Sequence, residues 1–121
     1  VTVFDASALL AYLAGEPGNE VVEAALERGG RCGAANWSEV AQKVRAAGAD
    51  WTLSAALLSS FGLVVEPVLV ADAEWAAQRW QRGEGLSLAD RLCLALGQRT
   101  GEPVLTADRS WGEGDGIVQV R

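Results

Sequence analysis

Four acidic residues, Asp5, Glu39, Asp90 and Asp108, each fall where a strand candidate ends or a helix candidate begins, at separations of 34, 51 and 18 residues. The chain has no histidine. Serine–histidine and cysteine–histidine nucleophile systems, histidine acid–base pairs and histidine-ligated zinc or iron are therefore excluded. Its two cysteines, Cys32 and Cys93, stand alone without a C-x-x-C pattern. They read as buried, reduced packing residues and not as a soft-metal site or a disulfide. Any chemistry must use oxygen ligands, hydroxyls, arginine or lysine. Four carboxylates gathered at one place would repel one another, and a divalent cation is the usual relief. An all-oxygen site favours Mg²⁺, with Mn²⁺ as a substitute, over zinc. Phosphodiester hydrolysis by a metal-activated water suits such a site, since it needs no protein nucleophile.

A plainer reading competes at each position. Ser87-x-x-Asp90 and Asn36-x-x-Glu39 have the spacing of capping boxes, and Asp5 and Asp108 sit where N-caps would. Acids in a first helical turn also suit the helix dipole. Position by position the caps suffice. Only the convergence of all four makes a site.

The elements that must position them follow from hydrophobic patterning. Val1–Phe4 is an apolar run ending at Asp5 and reads as a buried strand. Ser7–Ala14 predicts a short core helix closed by Gly15, and Glu20–Arg28 a second with Val21, Val22, Ala25 and Leu26 on one face. Arg31–Ala35 is a weaker strand candidate, followed by helices over Trp37–Ala47 and from Asp50 or Thr52 to Ser60. Leu63–Val68 predicts a strand limited by Pro67, and Ala71–Arg82 a helix broken by Gly83-Glu-Gly85. Ser87 opens an amphipathic helix with Leu88, Leu92, Ala95 and Leu96 inward. Pro103–Thr106 predicts a strand, Asp108–Trp111 a tight or single helical turn, and Ile117–Val120 a last strand.

Short apolar strands alternating with helices indicate an α/β fold with a mainly parallel sheet covered on both faces. The 121 residues fit a single domain spanning 1–121, and half of them are hydrophobic, which excludes intrinsic disorder. No apolar run reaches bilayer length and no signal peptide is recognisable, so a cytoplasmic location is expected. Methionine is absent, and the expected native start lies a residue or so upstream.

The same acids carry a resemblance. Val3-Phe-Asp5-Ala-Ser7-Ala-Leu-Leu resembles the opening motif of the PIN-domain nucleases, and Asn36-Trp-Ser-Glu39-Val their second. Leu86-Ser-Leu-Ala-Asp90-Arg-Leu-Cys-Leu-Ala-Leu resembles the third motif and Leu105-Thr106-Ala-Asp108-Arg-Ser-Trp111 the fourth. Order and spacing look like VapC-type toxins of bacterial toxin–antitoxin pairs. The resemblance implies a three-layer α/β/α sandwich and a Mg²⁺-dependent endoribonuclease. It also implies a homodimer and an antitoxin that threads a segment into the acidic site. By carry-over Asp5, Glu39, Asp90 and Asp108 become the metal-binding catalytic quartet, with Ser7 and Thr106 as supporting hydroxyls. Ala89 stands where many relatives have glycine. Asp115 is a further candidate acid, although Gly114-Asp-Gly116 reads equally as a turn.

A net charge of −6 argues against tight, nonspecific binding of RNA. Part of the conflict is local, because removing the quartet leaves −2. Arg91 and Arg109 each follow a proposed ligand and are the first candidates to reach RNA phosphates, ahead of Lys43 and Arg45. Trp75 and Trp80 read as core or dimer packing, and Trp37 and Trp111 as packing around the site. Leu53, Leu57, Leu58 and Phe61 form an apolar stripe. A phosphoacceptor receiver would need a late lysine, and the only lysine is Lys43; a D-x-D phosphatase is ruled against by Ser7. The remaining alternatives are a housekeeping RNA-processing nuclease of the same fold and a non-catalytic binding module whose acids only cap helices.

Overall fold

The structure, a computed structural model, describes residues 1–121. Five short strands, β1 (Thr2–Phe4), β2 (Gly30–Gly33), β3 (Val64–Glu66), β4 (Val104–Thr106) and β5 (Ile117–Gln119), form one sheet in the order β3-β2-β1-β4-β5. Every neighbouring pair is parallel. Six α-helices connect them: α1 (Ala6–Leu13), α2 (Asn19–Glu27), α3 (Ala34–Ala46), α4 (Trp51–Ser60), α5 (Val70–Arg79) and α6 (Leu88–Thr100). A single 3₁₀ turn covers Arg109–Trp111.

Successive strand residues point to opposite faces, so each strand feeds two cores. Phe4, Cys32 and Leu105 pack with Leu9, Val22, Leu26, Val40 and Leu58 beneath α1 to α4. Val3 and Val104 pack with Cys93, Leu94, Leu96 and Trp111 on the other face, where Trp75 of α5 joins them. Helices cover both faces, and the result is a three-layer α/β/α sandwich. Gly97 lets α6 lie close to the sheet: a Cβ there would come within 2.6 Å of Val104 Cγ2. No helix is long and apolar enough to cross a membrane.

Boundaries moved where backbone conformation overrode composition. β2 ends at Gly33, which is the N-cap of α3, so that helix begins at Ala34 and not at Trp37. Alanine favours helix strongly, and two of them directly after the strand start the helix early. α5 stops at Arg79 because Trp80 is already extended. Val21 and Leu88, expected inward, are 47% and 57% exposed. Val22, Ala25 and Leu26 complete the buried face of α2 without Val21. Leu88 is the first residue of α6, one turn ahead of the buried stretch Cys93–Gly97. The stripe on α4 divides in the same way: Leu58 is fully buried, while Leu53 and Leu57 face outward. Phe61 packs edge-on against Tyr12, and Trp37 edge-on against Trp51. Trp80 is half exposed beneath Arg82.

From β1 the chain builds outward through β2 and β3, then returns to place β4 and β5 on the opposite side. The order therefore reverses between β1 and β4, and the crevice at their carboxyl ends is the customary ligand position of such sheets.

Candidate active site

Asp5 is the residue after β1, with its backbone N–H bonded to the carbonyl of Leu105. It caps α1 by accepting the Ala8 N–H at 2.8 Å. The Ser7 hydroxyl lies 2.8 and 2.9 Å from the two carboxylate oxygens, and Thr106 Oγ1 donates to Oδ2 at 2.6 Å. Only 3% of Asp5 is exposed. Burial pushes its pKa from 3.8 up to about 6; the bonds from Thr106, Ala8 and Ser7 oppose the rise, and the charge of Asp90 adds to it.

The same two hydroxyls reach the next acid. Ser7 Oγ accepts the Ala107 N–H at 2.9 Å, and Thr106 Oγ1 accepts the Asp108 N–H at 3.0 Å. Asp108 then caps the 3₁₀ turn, its Oδ1 accepting from the Ser110 N–H and hydroxyl at 2.9 and 2.6 Å. Asp90, in the first turn of α6, forms a reciprocal capping box with Ser87 at 3.0 and 3.1 Å. Glu39 differs from its sequence reading. α3 begins at Ala34, so Asn36 is no cap and Glu39 lies in the second turn. Asn36 instead forms a buried stripe with Val40 and Val44, and its amide donates to both Glu39 Oε1 and the Ala89 carbonyl at 3.3 Å. That amide ties the Glu39 helix to the start of the Asp90 helix. Its spacing of four and eight residues from two apolar positions was the sequence signal for burial. Burial and the neighbouring Asp90 raise the pKa of Glu39, against the lowering influence of Lys43 and Asn36.

The cap readings thus hold at Asp5, Asp90 and Asp108, but they leave much of the acidity unanswered. The hydrogen bonds engage only Oδ2 of Asp90, Oδ1 of Asp108 and Oε1 of Glu39. None of the four acids is in an ion pair; those pairs join Arg31 to Glu66 and Glu102, Arg79 to Glu84, Arg99 to Asp72, and Arg121 to Glu16. A buried Asp5 faced by the half-buried Asp90, with free oxygens on Asp90, Asp108 and Glu39, fits a hard divalent cation. Cys32 and Cys93 offer nothing to a softer metal, since both are fully buried and burial pushes their thiol pKa values up, that of Cys32 to about 12. The structure gathers no group of three or more acidic or thiol side chains closely enough to hold an ion; the charge of Asp90 reaches both Asp5 and Glu39.

Other candidates fall elsewhere. Asp115 lies in the turn just before β5, and in a parallel sheet that is the amino edge, opposite the end that carries Asp5. It lines a cleft of about 700 Å³ with Trp75, Arg79 and Trp111. Arg91 turns back to α5, its Nη1 donating to the Ala76 carbonyl at 2.7 Å. Arg109 donates to the carbonyl of Arg121 at 2.9 Å.

A family model of the PIN domain matches residues 2–116. Ribonuclease VapC42 of Mycobacterium tuberculosis and VapC ribonuclease Mb2780c of Mycobacterium bovis are each 37% identical over 114 residues, spanning 85% of this chain and 87% of the relative. A toxin–antitoxin complex from Klebsiella pneumoniae shares the fold with a TM-score of 0.80 at 18% identity, over 100% of this chain and 98% of that one. Mycobacterium tuberculosis VapC20, a sarcin–ricin loop cleaving toxin, does so with a TM-score of 0.70 at 18% identity, over 96% and 92%. Fold and acidic edge together define a nuclease of the α/β/α class. The chain belongs to the PIN-domain family, among its VapC-type ribonucleases.

Proposed function

We propose that the chain is the toxin of a toxin–antitoxin pair and cleaves RNA internally with Mg²⁺ held by Asp5, Glu39, Asp90 and Asp108. The observation that carries this reading is a buried Asp5 without any cation in reach, faced by Asp90 and bonded to Ser7 and Thr106. A bound divalent ion supplies an activated water and offsets the charge that builds on a phosphodiester during hydrolysis. The protein's part is positional. Ser7 and Thr106 fix the Asp5 carboxylate and the backbone entering Asp108, and Asn36 fixes Glu39 against the Asp90 helix. Such outer contacts set how well oxygen ligands are aimed.

The RNA substrate, an antitoxin bound over the acidic edge, a homodimer and a cytoplasmic location complete the reading. The RNA substrate is supported by relatives named VapC ribonucleases, and the antitoxin by a fold shared with a toxin–antitoxin complex. The test is cleavage of total bacterial RNA by antitoxin-free protein with Mg²⁺, with Mn²⁺ and with EDTA, beside Asp5→Ala and Asp90→Ala proteins of equal folded content. Discrete fragments that require metal and vanish in both variants are expected. Cleavage that persists in either variant refutes the assignment.

A further inference from the structure

We propose that the cleft beside the acidic edge, lined by Ser7, Leu10, Ala14, Glu16, Lys43 and Arg121, is a phosphate subsite that grips the RNA backbone away from the bond being cut, with Lys43 as its principal cation. The proposal rests on the nuclease reading above and adds where the substrate strand runs.

The cleft encloses about 360 Å³ and shares Ser7 with the acidic site, so a chain bound at Asp5 has a direct path into it. Lys43 follows Glu39 by four residues on α3, one turn along the same face, with a rise of ~6 Å. It is exposed and has no acidic partner within ion-pair distance. Arg121 on the opposite wall donates to the Pro17 carbonyl at 3.0 Å and to Glu16 at 3.4 Å, and its own carbonyl holds Arg109. Arg121 is paired with Glu16, which leaves Lys43 as the unpaired charged side chain of the cleft in a chain of net −6.

The fate of the other cations sharpens the choice. Arg31, Arg79 and Arg99 are bound to acids, Arg91 is turned onto α5, and Arg82 lies over Trp80. Lys43 stands outside any ion pair and lines a cleft that also contains Ser7 of the acidic site. Leu10 and Ala14, four apart on α1 and its cap, give that cleft an apolar wall for the sugar or base edge. A phosphodiester meets the Lys43 ammonium there, with the Arg121 guanidinium beside it, both donor types that bind phosphate oxygens, while the Ser7 hydroxyl stays committed to Asp5.

Removing one phosphate contact lowers the salt dependence of binding by about 0.7 to 1 in the log–log slope. The experiment measures binding of a fluorescein-labelled RNA stem–loop to Asp90→Asn protein across a salt series, and cleavage of total RNA by the same substitutions in the wild-type background. Lys43→Gln and Arg121→Gln are compared with Arg28→Gln, an exposed charge at the amino edge of the sheet. The expected result is a smaller slope and roughly fivefold weaker binding for Lys43→Gln, less for Arg121→Gln, none for Arg28→Gln, with the slope restored by Lys43→Arg. The cleavage rate at saturating RNA should hold while KM rises. Slopes equal to that of Arg28→Gln, with cleavage by wild type intact, overturn the subsite alone. A wild-type protein that neither binds nor cleaves RNA overturns the nuclease reading and the subsite with it.

Discussion

Two aspartates of this small fold, Asp5 deep at the sheet edge and Asp72 in a shallower place on α5, are almost equally hidden from solvent and are treated in opposite ways. Asp5 is 3% exposed and Asp72 is 4% exposed. Asp72 is clasped by the Arg99 guanidinium through two bonds of 3.0 and 3.2 Å and accepts the Leu69 N–H at 3.0 Å. Burial works against its ionisation, yet those partners outweigh burial and hold its carboxyl below the usual range. Asp5 has only hydroxyls and one N–H, burial dominates, and its pKa rises to about 6. Asp72 anchors α5 to α6 and its charge is answered inside the molecule. The charge of Asp5 is left for something from outside. A buried acid with its own arginine is architecture, while a buried acid without one marks a site.

The strongest way to test this contrast is to neutralise each acid. Asp5→Asn should reduce RNA cleavage at least about a thousandfold and yet stabilise the metal-free protein. In the wild type the folded state holds a proton on Asp5 that the unfolded chain has already lost. Stability in EDTA should therefore fall as pH rises from about 4 to about 6 and then stay level, at a cost of about 3 kcal/mol. Melting curves of Asp5→Asn should lack that decline and show a higher midpoint at neutral pH. Divalent cation should raise the midpoint of wild type and leave the variant unmoved. A variant that melts below wild type at neutral pH would show that Asp5 is there for the fold.

Thr106→Val removes the hydroxyl shared by Asp5 and the Asp108 backbone. Cleavage should fall roughly ten- to a hundredfold, the usual loss for a ligand's supporting contact. The Asp5 titration, followed by carboxyl NMR, should move above 6 because a bond that lowers it is gone. At Asp72 the signs reverse. Asp72→Ala should lower stability by about 2 kcal/mol, or a melting midpoint by roughly 6–10 °C, with activity per folded molecule unchanged. Its native pKa is depressed, so the stability Asp72 contributes is present at neutral pH and is lost as pH falls below the ordinary carboxylate range. The smallest effect is expected at Trp111, whose buried indole N–H has no partner. Trp111→Phe should change unfolding free energy by less than about 1 kcal/mol, because the lost packing is offset by removing an unsatisfied donor.

Much of this arrangement is legible in the sequence. The apolar runs at β1 and β4 are buried on both sides, as their composition required, and Asp5 and Asp108 follow them at the next helical start, whereas the edge strands β3 and β5 stay partly exposed. The candidate site residues are also caps: Asp90 and Asp108 each spend one carboxylate oxygen on a helix start and keep the other free, while both oxygens of Asp5 are hydrogen-bonded. The two readings were never exclusive, and residue types alone could not show that. Asn36 and Glu39 were legible as a pair but not in their roles. Register on α3 depended on where β2 released the chain, and Gly33 released it early.

The sequence by itself determined the chemistry open to this protein, through four acids, two supporting hydroxyls and the absence of histidine, and it determined the layered class of the fold through its patterning. Those are properties of side-chain type and local period. Tertiary structure alone decided which charges remain unpaired. Asp5 and Thr106 meet across 101 residues, Asp72 and Arg99 across 27, and Asp115 is carried to the far edge by the direction of β5. Strand order places a residue at one edge or the other, and a carboxylate's neighbours there determine whether its charge is satisfied by the protein or left to bind a cation.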